Sequence, residues 1–206
     1  MTKIFKLLPP ECTPGLNLKQ RDSLIEHSLH ALPGGGLEKT IAMYEMAYQG
    51  VPNYLQYIYY PTNGQEGFIA FELRKFVRNN GSILIVYSKY GGTYDKFSQQ
   101  SLMIFDYKNN ELILNKAHLL PEKVDIKFFV KPSTPATAIA KINDSVSLSY
   151  NLDFYDTTIY FGIYPSGSLG QEDKLIIGYN ISFIWNGKVF IRKLLPDKTV
   201  KYVYKH

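Results

Sequence analysis

From residue 64 to the C-terminus, apolar and polar residues alternate in short runs broken by turn residues. The clearest run is near the end. There Leu175, Ile177, Tyr179, Ile181, Phe183 and Trp185 alternate with Ile176, Gly178, Asn180, Ser182 and Ile184. Asn186-Gly187 follows, and then Lys188-Val189-Phe190-Ile191-Arg192. Strand side chains point to opposite faces at a period of two. Asn-Gly supplies the positive φ angles of a tight hairpin. The segment therefore predicts a strand over 175–185 paired antiparallel with 188–194.

The same grammar recurs upstream. Residues 68–78 and 82–90 flank Asn79-Asn80-Gly81, and 101–107 and 111–115 flank Lys108-Asn109-Asn110. Ile83-Leu84-Ile85-Val86-Tyr87 is apolar on both faces, which places it centrally in a sheet. Residues 124–130, 145–152 and 159–163 alternate in the manner of strands covered on one side. Tyr54 to Tyr60 reads as a short aromatic strand, and 131–138, with two prolines, as a bridge. Val200, Tyr202 and Tyr204 read as a closing strand.

Only the first part of the chain departs from this pattern. Residues 1–16, with Pro9, Pro10, Pro14 and Gly15, read as an extended leading segment. Asn17 with Gln20 forms a capping box. The run after it predicts a helix over 18–31, stopped by Pro33-Gly34-Gly35-Gly36. Its apolar stripe is Leu18, Leu24, Ile25, Leu29 and Leu32. Residues 38–48 fit a helical face and a strand equally. The fold expected is α+β: one domain over 1–206, with a helical or mixed part at 17–63. Its body is a large, twisted and curved antiparallel sheet of hairpins at 64–206, with the N-terminal helix packed on one face. Leu24, Ile25, Leu29, Ile85, Ile126, Leu148, Phe161, Ile181 and Phe183 are expected to share a single core.

With 206 residues, 45% of them hydrophobic, the chain is long enough to bury a substantial core. The net charge of +5 comes from 23 basic residues spread along the chain, with no block that would mark a nucleic-acid arm. No nucleic-acid partner is expected. The one cysteine, Cys12, excludes an intramolecular disulfide and a Cys-rich zinc site. No apolar stretch reaches the roughly 20 residues of a membrane-spanning helix. The start, Met1-Thr2-Lys3-Ile4-Phe5, has no signal-peptide h-region.

Motifs that carry chemistry are sparse. Gly91-Gly92 and Gly167-x-x-Gly170 lack the Lys-Ser/Thr of a phosphate loop and read as turn glycines. His27 and His30 share a helix face with Glu26, but no HExxH spacing accompanies them, and His118 is the remaining internal histidine. There is no Gly-x-Ser-x-Gly elbow. Asp153 and Asp156, and the cluster Glu172-Asp173-Lys174, read first as turn residues. No catalytic residue, metal or cofactor is expected. The feature left over is aromatic: the chain has 17 tyrosines, and several fall opposite apolar strand faces. Tyr57, Tyr59, Tyr87, Tyr90, Tyr160 and Tyr164 are the candidate ligand-binding residues, expected to converge, partly exposed, in one groove.

Several short pieces resemble a family of small secreted proteins of uncharacterised function from Bacteroidales. They are Phe5-x-x-Leu8-Pro9; Leu16-Asn17 with Arg21-x-x-Leu24-Ile25; Ile83 to Gly91; Ser101 to Tyr107; and Phe183-x-Trp185-x-Gly187-x-x-Phe190. The resemblance covers about half the chain. It implies a β-rich fold and export to the periplasm or cell envelope, and it transfers no catalytic residue. The expected function is therefore a non-enzymatic envelope or secreted protein. It would bind a glycan, a lipid or other apolar ligand, or a partner protein on the aromatic sheet face. Two rivals stand beside it: a hydrolase using the acidic loop residues, and a structural or assembly protein acting through an exposed sheet edge.

Overall fold

A computed structural model of the chain describes residues 1–28, 44–47, 52–60, 67–93, 95–121, 124–152 and 157–195. Among the described residues there are three α-helices: α1 (Thr2–Leu7), α2 (Leu18–Ser28) and α3 (Ala136–Ser145). Ten strands form one sheet. They are β1 (Tyr44–Ala47), β2 (Tyr54–Tyr59), β3 (Phe68–Val77), β4 (Ile83–Gly92), β5 (Phe97–Lys108), β6 (Glu111–Leu114), β7 (Val146–Leu152), β8 (Thr158–Pro165), β9 (Asn180–Trp185) and β10 (Phe190–Leu195). Their order is β1-β2-β3-β4-β5-β7-β8-β9-β10, with β6 also paired to β5. The sheet is antiparallel except at one joint. There β5 meets β7 in parallel, through the single pair Ser98 and Leu148. The molecule is thus two antiparallel meanders, β1–β6 and β7–β10, hinged where they meet.

The first meander is covered on both faces. On one face Leu55, Tyr57, Phe71, Leu73, Ile85, Tyr87 and Phe105 pack with Phe5, Leu8, Cys12, Leu16 and Leu24 of the N-terminal segment. On the other, Tyr54, Phe76, Leu84, Val86 and Ile104 pack with Tyr150, Phe161, Ile181, Phe183 and Trp185 of the second meander. This explains the doubly apolar run at Ile83 to Tyr87: β4 is central and both its faces are dry. The expected single core is in fact two. Leu24 and Ile85 belong to one, with Ile25 at its margin, while Ile126, Phe161, Ile181 and Phe183 belong to the other, with Leu148 at its margin. A two-residue pattern shows that both faces are apolar, but not that different layers cover them.

The N-terminal segment is folded rather than extended. Met1 to Leu7 winds into α1, and Pro10–Cys12 forms a 3-10 turn with Pro10 in its first turn, where a missing N–H costs nothing. The capping box is present: Gln20 N donates to Asn17 Oδ1 at 3.0 Å, and Asn17 N to Gln20 Oε1 at 2.9 Å. Arg21, only 5% exposed, donates to the carbonyls of Lys6, Leu8 and Leu16 and so pins α1, the turn and α2 together. Leu18 departs from the expected stripe. It opens the helix and is 65% exposed. Leu29 and Leu32, like most of 38–48, lie outside the described residues, apart from the strand β1 at Tyr44–Ala47.

Two strand readings and one bridge are corrected. Residues 126–129 form a 3-10 turn, because the Asp125 side chain accepts from Lys127 N at 2.9 Å and captures the backbone before it can extend. Residues 170–175 form another, so β9 begins at Asn180 rather than near 175. The helix α3 interrupts the segment expected to bridge directly into β7. The Asn109-Asn110 turn is as expected, with φ of 52° and 64° at its two residues. The closing hairpin pairs Trp185 with Phe190, so its loop is four residues long rather than two. Gly91 and Gly92 end β4 rather than forming a loop. A Cβ on Gly91 would stand 2.5 Å from the Phe68 carbonyl oxygen, so the glycine lets two strands approach.

Candidate functional site: a buried carboxylate at the sheet seam

One edge of β7 pairs with β8. Its other edge, carrying the outward N–H and C=O groups of Val146, Leu148, Tyr150 and Leu152, faces the inner surface of β3–β5. A strand edge buried in this way must have its polar groups satisfied. The Ser98–Leu148 bridge accounts for one position, and side chains of the first meander hold four more of these groups. Lys96 Nζ donates to Val146 O. Tyr150 N donates to Gln99 Oε1 at 2.8 Å, and Ser88 Oγ donates to Tyr150 O at 3.3 Å. Leu152 N donates to Glu72 Oε2 at 2.9 Å.

Glu72 is the centre of this seam. It lies on β3, on the face shared by Ala70, Arg74 and Phe76, and is 1% exposed. Its Oε1 accepts from the Tyr54 hydroxyl at 2.9 Å, from Gln56 Nε2 at 3.2 Å and from the Tyr90 hydroxyl at 3.2 Å. Gln56 and Ser88 flank it directly across the sheet on β2 and β4. Burial pushes the carboxyl up from 4.5 to about 7, against the pull of hydrogen bonds from Leu152 N, Tyr54, Tyr90 and Gln56. Nearby, the Tyr164 ring folds back over Gly162, where a Cβ would meet its hydroxyl and ring carbons at about 2.9 Å. Burial, and then the Glu72 charge, raises the Tyr164 hydroxyl above its ordinary range. That hydroxyl lies beside Ser149 and Asn151, close enough to interact, but neither it nor Ser149 Oγ is aligned for a good hydrogen bond.

The six candidate tyrosines do not form one groove. Tyr57, Tyr59 and Tyr87 face the N-terminal helices, while Tyr90, Tyr160 and Tyr164 belong to the opposite side of the sheet or to the second meander. Five are buried, and Tyr59 is partly so. Three of their hydroxyls tie the fold together. Tyr57 and Tyr87 both donate to the Cys12 carbonyl, Tyr87 at 3.0 Å, and Tyr90 serves Glu72. The aromatic groove is therefore replaced by a set of internal clamps. Asp153, Asp156 and His30, and the side chain of His27, lie outside the described residues. Glu172 pairs with Lys141, and Asp173 accepts from the Tyr179 hydroxyl, so this acidic loop is tied into the fold. The Cys12 thiol is buried and pushed up to about 12, chiefly by that burial. No group of His, Cys, Asp and Glu suited to a metal ion is found among the described residues.

Glu72 is the residue the sequence reading passed over. It carries no local signal: Glu72 and Arg74 alternate with Ile69, Phe71 and Leu73, the pattern of a strand with one polar face. The surface offers a second feature. In the closing hairpin Ile191 of β10 stands opposite Ile184 of β9, Val189 lies in the loop between them, and all three are exposed, Ile191 by 52%. Among the described residues β10 is the end strand of the sheet. Lys188, Arg192 and Lys193 are exposed around the three, and Arg192 lies 4.9 Å from the centroid of the Phe128 ring.

Comparison with known proteins adds the fold. The chain is similar in structure to a domain of an uncharacterized protein from Porphyromonas gingivalis W83, with a TM-score of 0.59 and 14% sequence identity. The match covers 94% of this chain and 98% of that domain, so the architecture is shared from end to end. No family model and no curated protein sequence matches the chain.

Proposed function

We propose that the protein is a non-enzymatic binding module that takes an extended segment of a partner protein onto the edge of β10. The observation that carries this reading is the exposed aliphatic cluster of Ile184, Val189 and Ile191 in the β9–β10 hairpin, whose second strand ends the sheet among the described residues. An end strand offers unpaired backbone groups for strand addition, and side chains beside it give specificity. The basic residues Lys188, Arg192 and Lys193 favour a partner strand in which apolar residues alternate with acidic ones. They disfavour a second copy of this chain, since two β10 strands set antiparallel would bring these cations together. The resemblance to secreted Bacteroidales proteins supports placing this module outside the cytoplasm. Membership of that secreted family is part of the same proposal.

The test uses a synthetic ten-residue peptide of alternating Val and Glu, titrated into isotope-labelled protein. Amide shifts confined to β9 and β10, and lost in the double variant Arg192→Glu, Lys193→Glu, are expected. Shifts mapping elsewhere, their absence, or a concentration-dependent dimer in sedimentation would remove this reading.

A further inference from the structure

We propose that Glu72 makes the seam between the two meanders a proton-controlled joint, closed while the carboxyl holds its proton and loosened when it loses it. The seam has little backbone of its own. A single pair, Ser98 with Leu148, links β5 to β7, and Val146 O, Tyr150 N, Tyr150 O and Leu152 N are held by the side chains of Lys96, Gln99, Ser88 and Glu72. Glu72 is the carboxyl among them, and it holds the end of the seam at Leu152.

The groups that face it settle the direction. From β2 come Tyr54 and Gln56; from β3, Arg74, which is opposite Tyr54 and 4% exposed; from β4, Ser88 and Tyr90; from β8, Tyr164. Lys89 points to the opposite face, above the Phe71 ring. Lys96 caps the far end of the seam at Val146. Among the described residues no cation forms an ion pair with Glu72. Two of its four donors are hydroxyls, which rotate to accept as readily as they donate. The protonated carboxyl is therefore accommodated without burying a charge. The ionised form keeps four donors but remains a buried charge without a counter-ion among the described residues, and opening the seam hydrates it.

The carboxyl is raised from 4.5 to about 7 when the seam is closed. The closed state therefore binds more protons than the open one across that window. Its opening equilibrium then rises by up to tenfold per pH unit between about 4.5 and 7, and levels off on either side.

The experiment is amide hydrogen exchange from pH 5 to 8, corrected for intrinsic rates. Protection at Leu152 and Tyr150 is expected to fall at least tenfold with rising pH, while Leu73 and Val86 in the β3–β4 ladder stay level. Glu72→Gln should abolish the fall. Should that variant fail to fold, Tyr90→Phe removes one donor from the ionised form and should move the falling limb to higher pH. Protection at Leu152 that is constant, or that tracks Leu73 throughout, overturns the proposal, as does a falling limb unmoved in Tyr90→Phe.

Discussion

At the scale of single residues, tyrosine hydroxyls do much of the joining. The Cys12 carbonyl has two lone pairs, and Tyr57 of β2 and Tyr87 of β4 fill both from either side of β3. Removing one hydroxyl leaves the carbonyl satisfied, so Tyr57→Phe or Tyr87→Phe alone should cost only about 0.5–1.5 kcal/mol. The double variant strands a buried acceptor. Its urea-measured loss should exceed the sum of the two singles by about 1 kcal/mol or more. Strict additivity would show that the carbonyl finds another partner. The reactivity of Cys12 follows from the same burial: with its thiol pushed up to about 12, it should resist alkylation at pH 8 in the native protein and react once unfolded. The aromatic load was plain in the sequence, and so was its alternation with apolar residues. What alternation cannot show is which layer covers a given face. Tyr57 and Tyr160 look alike along the chain, yet one lies beneath a helical layer and the other on a strand of the second meander.

At the scale of elements, the hairpins were legible because two-residue periodicity and Asn-Gly turns are local signals. Residues 79–81, 109–110 and 186–187 all fall in turns between paired strands, with Lys108 the last paired residue of β5. The segments misread are those where a side chain overrides the pattern, as Asp125 does at the 126–129 turn. The closing hairpin also has a long-range anchor that no local signal could reveal. Asn79 N donates to the Gly187 carbonyl at 2.9 Å, and Trp185 Nε1 donates to the Val77 carbonyl at 2.8 Å. Gly187 has φ of +90°, and a Cβ there would overlap the Asn79 amide. Gly187→Ala should therefore destabilise by about 1–3 kcal/mol, from backbone strain and from the displaced turn together. Gly81, also at positive φ but with nothing within 4 Å, should show the strain alone and a smaller loss. Equal losses would show that the two turns are not in contact.

At the scale of the whole molecule, β2–β5 are shared between two cores, one built with the N-terminal helices and one with the second meander. A sheet that belongs to both cannot lose one covering without exposing the other. Calorimetry should show a single transition. Phe71→Ala in the first core and Phe183→Ala in the second should each cost about 3–5 kcal/mol and leave that transition single. Two resolved transitions would mean that the meanders fold independently. The sharing also sets a timetable. Cys12 lies against Met103, 91 residues further on, and Val77 bonds Trp185 across 108. As the chain leaves a ribosome, its first helices emerge long before the strands that will receive them. They wait uncommitted until β5 has appeared, and the second core must wait until the closing hairpin is out. So many distant pairings give slow folding. A nascent chain of this kind spends most of its synthesis with apolar surface in search of a partner, and is exposed to chaperone capture for that whole interval.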